Sequence, residues 1–231
     1  MRSHPINFRS TRSWFLRLAL AAIGMMPLLA SGSASSPKQT VVFFGDSLTA
    51  GYGLDDPDTE AFPALIRRRI EALDLPWRVV AAGLSGETTA GGLRRIDWVL
   101  REPADVIVVE LGANDGLRGV PIATTRSNLQ GIVDRIRRRL PHATILLVGM
   151  KMPASLGEDY RRDFGEVFPA IARANNLPLV PFLLAGVAGH PDLNQADSIH
   201  PTAQGHALVA QTVWSALAPL LGVSPAERVS P

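Results

Sequence analysis

Residues 40–53 read Thr-Val-Val-Phe-Phe-Gly-Asp-Ser-Leu-Thr-Ala-Gly-Tyr-Gly. The β-branched and aromatic run Val41–Phe44 predicts a strand buried on both faces. Gly45 permits a tight turn after this strand, and Ser47 follows two residues later. A serine held there can project its hydroxyl from a fixed point, although a serine after a strand is more often a helix N-cap. The stretch therefore predicts a buried strand that presents Ser47 at its carboxyl end.

Outside this stretch, short apolar runs alternate with amphipathic segments. That alternation is typical of a parallel sheet covered by helices on both faces, so the predicted fold class is α/β with three α/β/α layers and five strands. The predicted strands are Val41–Phe44, Arg78–Ala81, Val106–Glu110, Thr144–Val148 and Leu179–Pro181. The predicted helices are Pro63–Leu73, Thr88–Leu100, Thr124–Leu140, Tyr160–Asn175 and Thr202–Leu220.

A serine nucleophile needs a neighbouring base to take its proton, and histidine is the usual one. His200 is the best candidate, because Asp197 precedes it by three residues and can fold back to fix the imidazole tautomer. Alone, such a pair is more often a surface turn than a catalytic dyad. The other histidines are His4 in the N-terminal segment, His142 before a predicted strand, His190 in a Gly/Pro loop and His206 at the start of the last helix.

Acyl transfer also needs hydrogen-bond donors where negative charge develops. Gly86, in Ser85-Gly86-Glu87-Thr88, and Asn114, in Gly112-Ala113-Asn114-Asp115-Gly116, follow the second and third predicted strands. Each is also ordinary turn chemistry. Because ligands of open parallel sheets bind at the carboxyl ends of the strands, all these loops are expected to meet at one edge. Their joint occurrence is harder to explain by chance than any single motif.

Composition excludes several functional classes. The 231 residues are 46% hydrophobic and 19% charged, as in a globular domain, and include no cysteine, so disulfides, a thiolate nucleophile and a cysteine-based zinc site are excluded. The formal charge of +2 depends on the first 34 residues, which carry four arginines and no acid. The remaining chain has 19 basic and 21 acidic residues, which argues against a nucleic-acid partner.

The N-terminal segment has the three-part layout of a secretory signal peptide: a basic start, an apolar run over Leu18–Ala30 and small residues before Ser35. We expect cleavage near Ala34. An uncleaved anchor is the alternative, although the apolar run is shorter than the roughly 20 residues of a spanning helix. The expected organisation is a signal peptide over 1–34, a catalytic domain over 35–221 and a flexible tail over 222–231. The expected location is periplasmic or secreted, without a stable membrane anchor after cleavage.

Taken together, the four loop motifs resemble those of the SGNH-hydrolase superfamily, also called the GDSL esterases and lipases. The GDSL block is Gly45–Leu48, the block glycine is Gly86, the GxND block is Gly112–Asp115 and the DxxH block is Asp197–His200. The longer phrase Val109–Gly119 is similar to the periplasmic subgroup described as thioesterase I, protease I and lysophospholipase L1, or as arylesterase.

This resemblance covers about residues 39–221 and implies a flavodoxin-like sheet that hydrolyses esters and thioesters without metal or cofactor. It implies that Ser47 is the nucleophile, His200 the general base and Asp197 the acid that orients it. The implied oxyanion donors are Gly86, Asn114 and the Ser47 backbone. Ser198 is a departure, because many members have glycine at that position.

The resemblance also implies that residues 116–121 line an acyl channel. Candidate wall residues, each equally explicable as ordinary packing, are Leu117, Val120, Pro121, Met152, Pro153 and Leu156. Medium-chain acyl or aryl esters are the first expected substrates, followed by lysophospholipids and acyl-CoA analogues. The expected partner is thus a small acyl ester or thioester, and a monomer is expected.

Two alternatives stay open. A polysaccharide O-deacetylase of the same superfamily would suit a secreted enzyme and would need a shallower, wetter groove. A non-catalytic ligand-binding protein would need no general base, which disfavours it. Nucleotide binding is disfavoured by the lack of a Gly-rich phosphate loop. Metal catalysis is disfavoured because only His200 and His206 have a ligand-like spacing, with Pro201 between them.

Overall fold

The structure, a computed structural model, describes residues 39–226. The predicted signal peptide and the end of the predicted tail lie outside these residues. Five parallel strands form one sheet in the order β2-β1-β3-β4-β5, which confirms the predicted α/β class. Their bounds are β1 Gln39–Gly45, β2 Trp77–Gly83, β3 Val106–Glu110, β4 Thr144–Val148 and β5 Leu179–Val180.

The helices that follow the strands cover the sheet. They are α1 Ser47–Ala50, α2 Pro57–Glu60, α3 Phe62–Ala72, α4 Thr89–Val99, α5 Ala113–Leu117, α6 Ile122–Arg139, α7 Glu158–Gly165, α8 Val167–Asn175 and α9 Ala203–Leu217. Short 3-10 turns occupy Ala154–Leu156, Pro191–Leu193 and Ala218–Leu221. Helix α3 packs against α9, while α6 packs against both α4 and α8. Within residues 39–226, no helix is long and apolar enough to cross a bilayer.

The predicted single helix Tyr160–Asn175 was wrong, because the structure divides it at Glu166 into α7 and α8. Pro169 has no N–H for the carbonyl of Gly165, and its ring crowds that carbonyl, so a continuous helix loses a hydrogen bond there. Pro219 acts similarly near the C-terminal end, where α9 stops at Leu217 and a 3-10 turn continues instead of the predicted helix to Leu220. The short helices α1, α2 and α5 were not predicted.

The sheet is the centre of the core. Phe43 and Phe44 of β1 and Val108 of β3 are completely buried, as expected for strands covered on both faces. In register, Gly45 of β1 lies between Gly83 of β2 and Glu110 of β3. The loops that leave these three strands therefore start side by side at one edge of the sheet.

Candidate active site

Ser47 is the first residue of α1 and follows β1 after a sharp turn. Asp46 caps this helix, since its Oδ1 accepts a hydrogen bond from the Leu48 N–H at 3.0 Å. The turn requires glycine at position 45, because a Cβ there would lie 2.5 Å from Glu110 Oε2 and 2.8 Å from the Glu110 carbonyl oxygen. Ser47 is only 8% exposed, so it is nearly buried at the edge of the sheet.

His200 and Asp197 meet Ser47 in a continuous chain of hydrogen-bonding groups. His200 Nε2 lies 2.9 Å from Ser47 Oγ, and His200 Nδ1 lies 2.6 Å from Asp197 Oδ2. The other Asp197 oxygen accepts the N–H groups of Ile199 at 2.9 Å and His200 at 3.0 Å. Burial would raise the pKa of Asp197, but the hydrogen bonds from His200 and from these N–H groups outweigh it and lower the pKa to about 2.

The turn that carries this pair is tied to the loop after α1. Gln195 donates from Nε2 to the Tyr52 carbonyl at 2.7 Å and to the Pro201 carbonyl at 3.0 Å. The Tyr52 ring lies 4.7 Å from the His200 ring, centroid to centroid. Sequence reasoning missed Tyr52 and Gln195, and only Tyr52, which follows Ser47 by five residues, gave a local signal.

Ser198 departs from the family pattern at a position where glycine has a physical advantage. Its φ angle is 60°, in the left-handed region that L side chains rarely adopt. The turn places Ser198 there so that the Ile199 and His200 N–H groups can reach Asp197. The chain therefore holds a small side chain in a strained conformation at the centre of its Asp-His turn.

The predicted oxyanion donors reach the same edge. Gly86 has φ 78°, and Asn114 lies in the first turn of α5, directly after β3. Asn114 Nδ2 donates to Asp46 Oδ2 at 3.1 Å, which orients the side-chain amide toward the nucleophile turn. Within residues 39–226, the N–H groups of Ser47 and Gly86 donate no hydrogen bond to the protein. N–H groups without a protein acceptor, on loops that leave neighbouring strands, are available to bind a developing oxyanion.

Two buried carboxyl groups lie beneath this turn. Glu110 Oε2 accepts the Asp46 N–H at 3.2 Å and the Thr49 hydroxyl at 2.8 Å. Burial and the nearby Asp46 raise the pKa of Glu110 well above its usual value. Burial also raises the pKa of Asp46 to about 6, against hydrogen bonds from Leu48 and Asn114. Sequence reasoning placed Glu110 in a strand only, although a glutamate ending an apolar run was a signal for such a role.

A cavity of about 440 Å³ opens next to this constellation. Of the predicted wall residues, Leu117, Met152 and Pro153 line it, together with Leu48, Phe182 and Ile199. Val120, Pro121 and Leu156 do not line it. Lys151 and Arg161 also contribute to the wall. A larger cleft of about 670 Å³, between α6 and α8, contains none of the predicted site residues.

No metal-binding cluster was found in the described part of the chain: residues 39–226 contain no group of three or more His, Cys, Asp or Glu placed to hold an ion. The arrangement of Ser47, His200, Asp197 and free N–H donors is instead suited to acyl transfer, in which the base takes the serine proton and the donors bind an oxyanion.

A family model of GDSL-like lipases and acylhydrolases matches residues 43–208. The chain belongs to this family. It is 38% identical over 206 residues to "Esterase TesA" of Pseudomonas aeruginosa, covering 85% of this chain and all of that one. It is 31% identical over 217 residues to "Thioesterase 1/protease 1/lysophospholipase L1" of Escherichia coli K12, covering 94% of this chain and 98% of that one. Membership confirms the prediction of an ester hydrolase.

The fold comparison agrees with the family assignment. The crystal structure of TesA superimposes with a TM-score of 0.75 at 38% sequence identity, and the alignment covers 79% of this chain and 99% of that one. Because TesA shares both sequence and architecture with this chain, the predicted three-layer SGNH-hydrolase fold is confirmed.

Proposed function

We propose that the chain hydrolyses carboxylic esters and thioesters through an acyl-enzyme on Ser47. One observation supports the proposal most strongly, namely the unbroken series Asp197 Oδ2, His200 Nδ1, His200 Nε2 and Ser47 Oγ, with separations of 2.6 Å and 2.9 Å. These residues come from loops 153 positions apart in sequence, so the fold alone brings the base to the serine.

In the proposed acylation step, His200 Nε2 takes the Ser47 proton as Oγ attacks the acyl carbon. The carbonyl oxygen becomes an oxyanion, which accepts hydrogen bonds from the Ser47 and Gly86 N–H groups and from Asn114 Nδ2. When the tetrahedral intermediate collapses, the bond to the alcohol or thiol breaks, and the leaving group receives the proton from His200. Water then attacks the acyl-enzyme in the same way and releases the carboxylic acid.

Asp197 has a separate task in this scheme. Its pKa of about 2 keeps it ionised at neutral pH, so it accepts a hydrogen bond from His200 Nδ1–H and holds the tautomer whose Nε2 is free to act as base. It also stabilises the imidazolium ion that forms when Ser47 is deprotonated.

The shape of the cavity supports an acyl chain longer than acetyl. Its wall next to Leu48 is mostly apolar, with Leu117, Met152 and Phe182 among its residues. A volume of about 440 Å³ is within the range of small-molecule sites. A deacetylase would not need such an apolar cavity, so we propose medium-chain acyl esters and aryl esters as substrates, with lysophospholipids and acyl-CoA analogues next.

We also propose that residues 1–34 are a cleaved signal peptide and that the enzyme acts in the periplasm or outside the cell. The basic start, the apolar run Leu18–Ala30 and the small residues before Ser35 support this location. N-terminal sequencing of the protein exported by a bacterial host tests it, with Ser35 or a close neighbour as the expected first residue.

The activity is tested with p-nitrophenyl acetate, butyrate, octanoate and palmitate. We expect the highest kcat/KM with butyrate or octanoate, and a loss of at least about 10³-fold in Ser47→Ala. The matched control is Ser85→Ala, which removes an exposed hydroxyl from the neighbouring loop and should retain full activity. Equal activity of Ser47→Ala and the wild type would contradict the mechanism, and a clear optimum at acetate would favour the deacetylase.

A further inference from the structure

Arg95, on α4, makes more polar contacts than an arginine on a solvent-exposed helix face needs. Its Nε lies 3.0 Å from both carboxylate oxygens of Glu87, and its Nη2 also contacts Glu87 Oε2. The same Nη2 donates to the Ala82 carbonyl at 3.0 Å and reaches the Gly45 carbonyl at 3.5 Å. The guanidinium lies 4.6 Å from the centre of the Phe44 ring. Its side chain is 20% exposed and that of Glu87 only 4%.

The groups that Arg95 contacts lie at the start of, or within, the two loops that carry Ser47 and Gly86. Gly45 comes two residues before Ser47, and Glu87 comes directly after Gly86. Ala82 belongs to the end of β2, from which the Gly86 loop departs. One further bond, from the Leu84 N–H to the Gly45 carbonyl at 3.0 Å, joins the same two loops. Contacts to both sides of this junction, to the Gly45 carbonyl and to Glu87, therefore converge on one guanidinium.

We propose that Arg95, with Glu87, is a positioning residue that sets the separation between Ser47 and the Gly86 oxyanion donor. The inference rests on the proposed function, because it concerns the same acyl transfer. Arg95 itself touches neither substrate nor reacting atoms. It acts through the Gly45 carbonyl on one side and through Glu87 on the other.

General energetics favour a geometric role over a purely stabilising one. Placing an ion pair in a largely buried position costs desolvation that its attraction barely offsets, so such a pair adds little to stability compared with apolar packing. The planar guanidinium, however, fixes several acceptors at set angles, which a lysine cannot do. An oxyanion donor displaced by a fraction of an ångström loses much of its effect on the transition state.

A second arginine offers a control. Arg135, on α6, donates to the Leu93 carbonyl and to Asp97 on α4, so it too contacts a carboxylate and a backbone carbonyl. This pair is much more exposed, with side-chain exposures of 33% and 51%, and contacts neither loop of the site. Arg135→Met therefore removes one carboxylate contact and one carbonyl contact without disturbing the proposed donors.

The test compares Arg95→Met and Arg95→Lys with Arg135→Met, using p-nitrophenyl butyrate. We expect Arg95→Met to lower kcat by about 10- to 10²-fold with little change in KM, because the loss falls on the transition state. Arg95→Lys should have a kcat between that of Arg95→Met and that of the wild type. Arg135→Met should retain the wild-type kcat. Circular dichroism confirms that each variant is folded.

A trifluoromethyl ketone separates positioning from general destabilisation. Ser47 Oγ adds to the ketone carbon, His200 takes the serine proton, and the ketone oxygen becomes an oxyanion in the same donors. For a positioning role, the Ki of Arg95→Met rises in proportion to the fall in kcat/KM. Wild-type kcat in Arg95→Met, a loss equal to that of Arg135→Met, or an unchanged Ki despite a lower kcat would each overturn the inference.

A second variant keeps the inference testable if Arg95→Met does not fold. Glu87→Gln preserves volume and one acceptor oxygen but removes the charge that holds Arg95, and we expect a smaller fall in kcat with a proportional rise in Ki. An unchanged kcat and Ki in this variant would overturn the inference. A wild-type enzyme without esterase activity would instead contradict the proposed function, so the two failures are distinguishable.

Discussion

In two regions at the same edge of the sheet, opposite physical effects dominate the pKa shifts of the ionisable groups. In the outer turn, defined as Asp197–His200, hydrogen bonds lower the pKa of a carboxyl to about 2. In the buried layer, defined as Asp46, Glu110 and His206, burial raises the pKa of both carboxyls and lowers the pKa of the histidine to about 4. Donors to the charged form dominate in the outer turn, and loss of water dominates in the buried layer.

The difference shows how one edge can combine chemistry with rigidity. The proposed base needs a charged partner that remains ionised through the reaction, and the outer turn supplies it. The nucleophile turn needs fixed acceptors for its N–H and hydroxyl groups. The buried layer supplies these acceptors, and the pKa shifts of its groups favour their neutral forms. Two histidines six residues apart illustrate the contrast, since His200 faces Ser47 while His206 Nδ1 accepts the Phe62 N–H at 3.2 Å inside the core.

The largest expected effect comes from removing the charge in the outer turn. Asp197→Asn retains an oxygen for the Ile199 and His200 N–H groups but no longer favours the productive tautomer of His200. We expect kcat to fall by about 10⁴-fold, as in other serine triads, without loss of the fold. Steady-state hydrolysis of p-nitrophenyl butyrate measures it, with Asp192→Asn, on a 3-10 turn of the same loop region, as the control. Activity within tenfold of the wild type would mean that Asp197 does not orient the base.

In the buried layer, His206 makes stability depend on pH. Its folded pKa of about 4 lies below its ordinary 6.5, so between these values the unfolded chain binds more protons than the folded one. The contribution of His206 to the free energy of unfolding is fully present above pH 6.5 and falls by about 3 kcal/mol as the pH drops to 4. His206→Asn keeps an acceptor for Phe62 and should lack this fall. Urea unfolding at several pH values measures it, and parallel curves for the two proteins would contradict the assignment.

Glu110 sharpens the comparison with Asp197, because both are carboxyls close to Ser47. Glu110→Ala leaves the Asp46 N–H and the Thr49 hydroxyl without their acceptor, and we expect a loss of about 1–3 kcal/mol. Glu110→Gln keeps that acceptor. Since the folded pKa of Glu110 is raised, its contribution to stability falls as the pH rises above about 4.5, and the glutamine variant should lack this contribution. Urea midpoints at pH 5 and 8 measure this. If the wild type became more stable relative to Glu110→Gln as the pH rises, the raised pKa of Glu110 would be contradicted.

The smallest expected effect concerns strain in the outer turn. Ser198→Gly removes a side chain from a left-handed backbone position and so relieves strain in the folded state. Because this relief outweighs the added conformational freedom of the unfolded chain, we expect the free energy of unfolding to rise by about 0.5 kcal/mol. Ser155→Gly is the control, because Ser155 has no positive φ and the change there should be slightly destabilising. Thermal unfolding measures both, and a less stable Ser198→Gly would show that the serine side chain is needed in the turn.

Much of this edge could be predicted from sequence because its signals are local. A buried strand, a tight turn and a serine occur within Val41–Ser47, and Asp197 and His200 occur within one turn. The parallel sheet then brings these loops together at the edge where strands end. Four loops were therefore expected to meet although no single motif was decisive.

The remaining features depend on contacts between distant residues. Arg95 was assigned to a helix, but its contacts with Gly45 and Ala82 exist only in the folded sheet. Glu110 has an unusual pKa because the fold buries it and places Asp46, 64 positions away in sequence, beside it. Which apolar residues line the cavity likewise depends on loop conformation, so Leu117 and Met152 line it whereas Leu156 does not.

The most direct measurement is covalent labelling of the wild type, Ser47→Ala and Asp197→Asn with a fluorophosphonate, followed by intact mass and peptide mapping. The phosphorus bonds to the most nucleophilic serine, and fluoride leaves. We expect one adduct on the wild type at the peptide containing Ser47, a much slower reaction of Asp197→Asn, and no adduct on Ser47→Ala. An adduct at another residue, or equal labelling of Ser47→Ala, would contradict the assignment of Ser47 as the nucleophile.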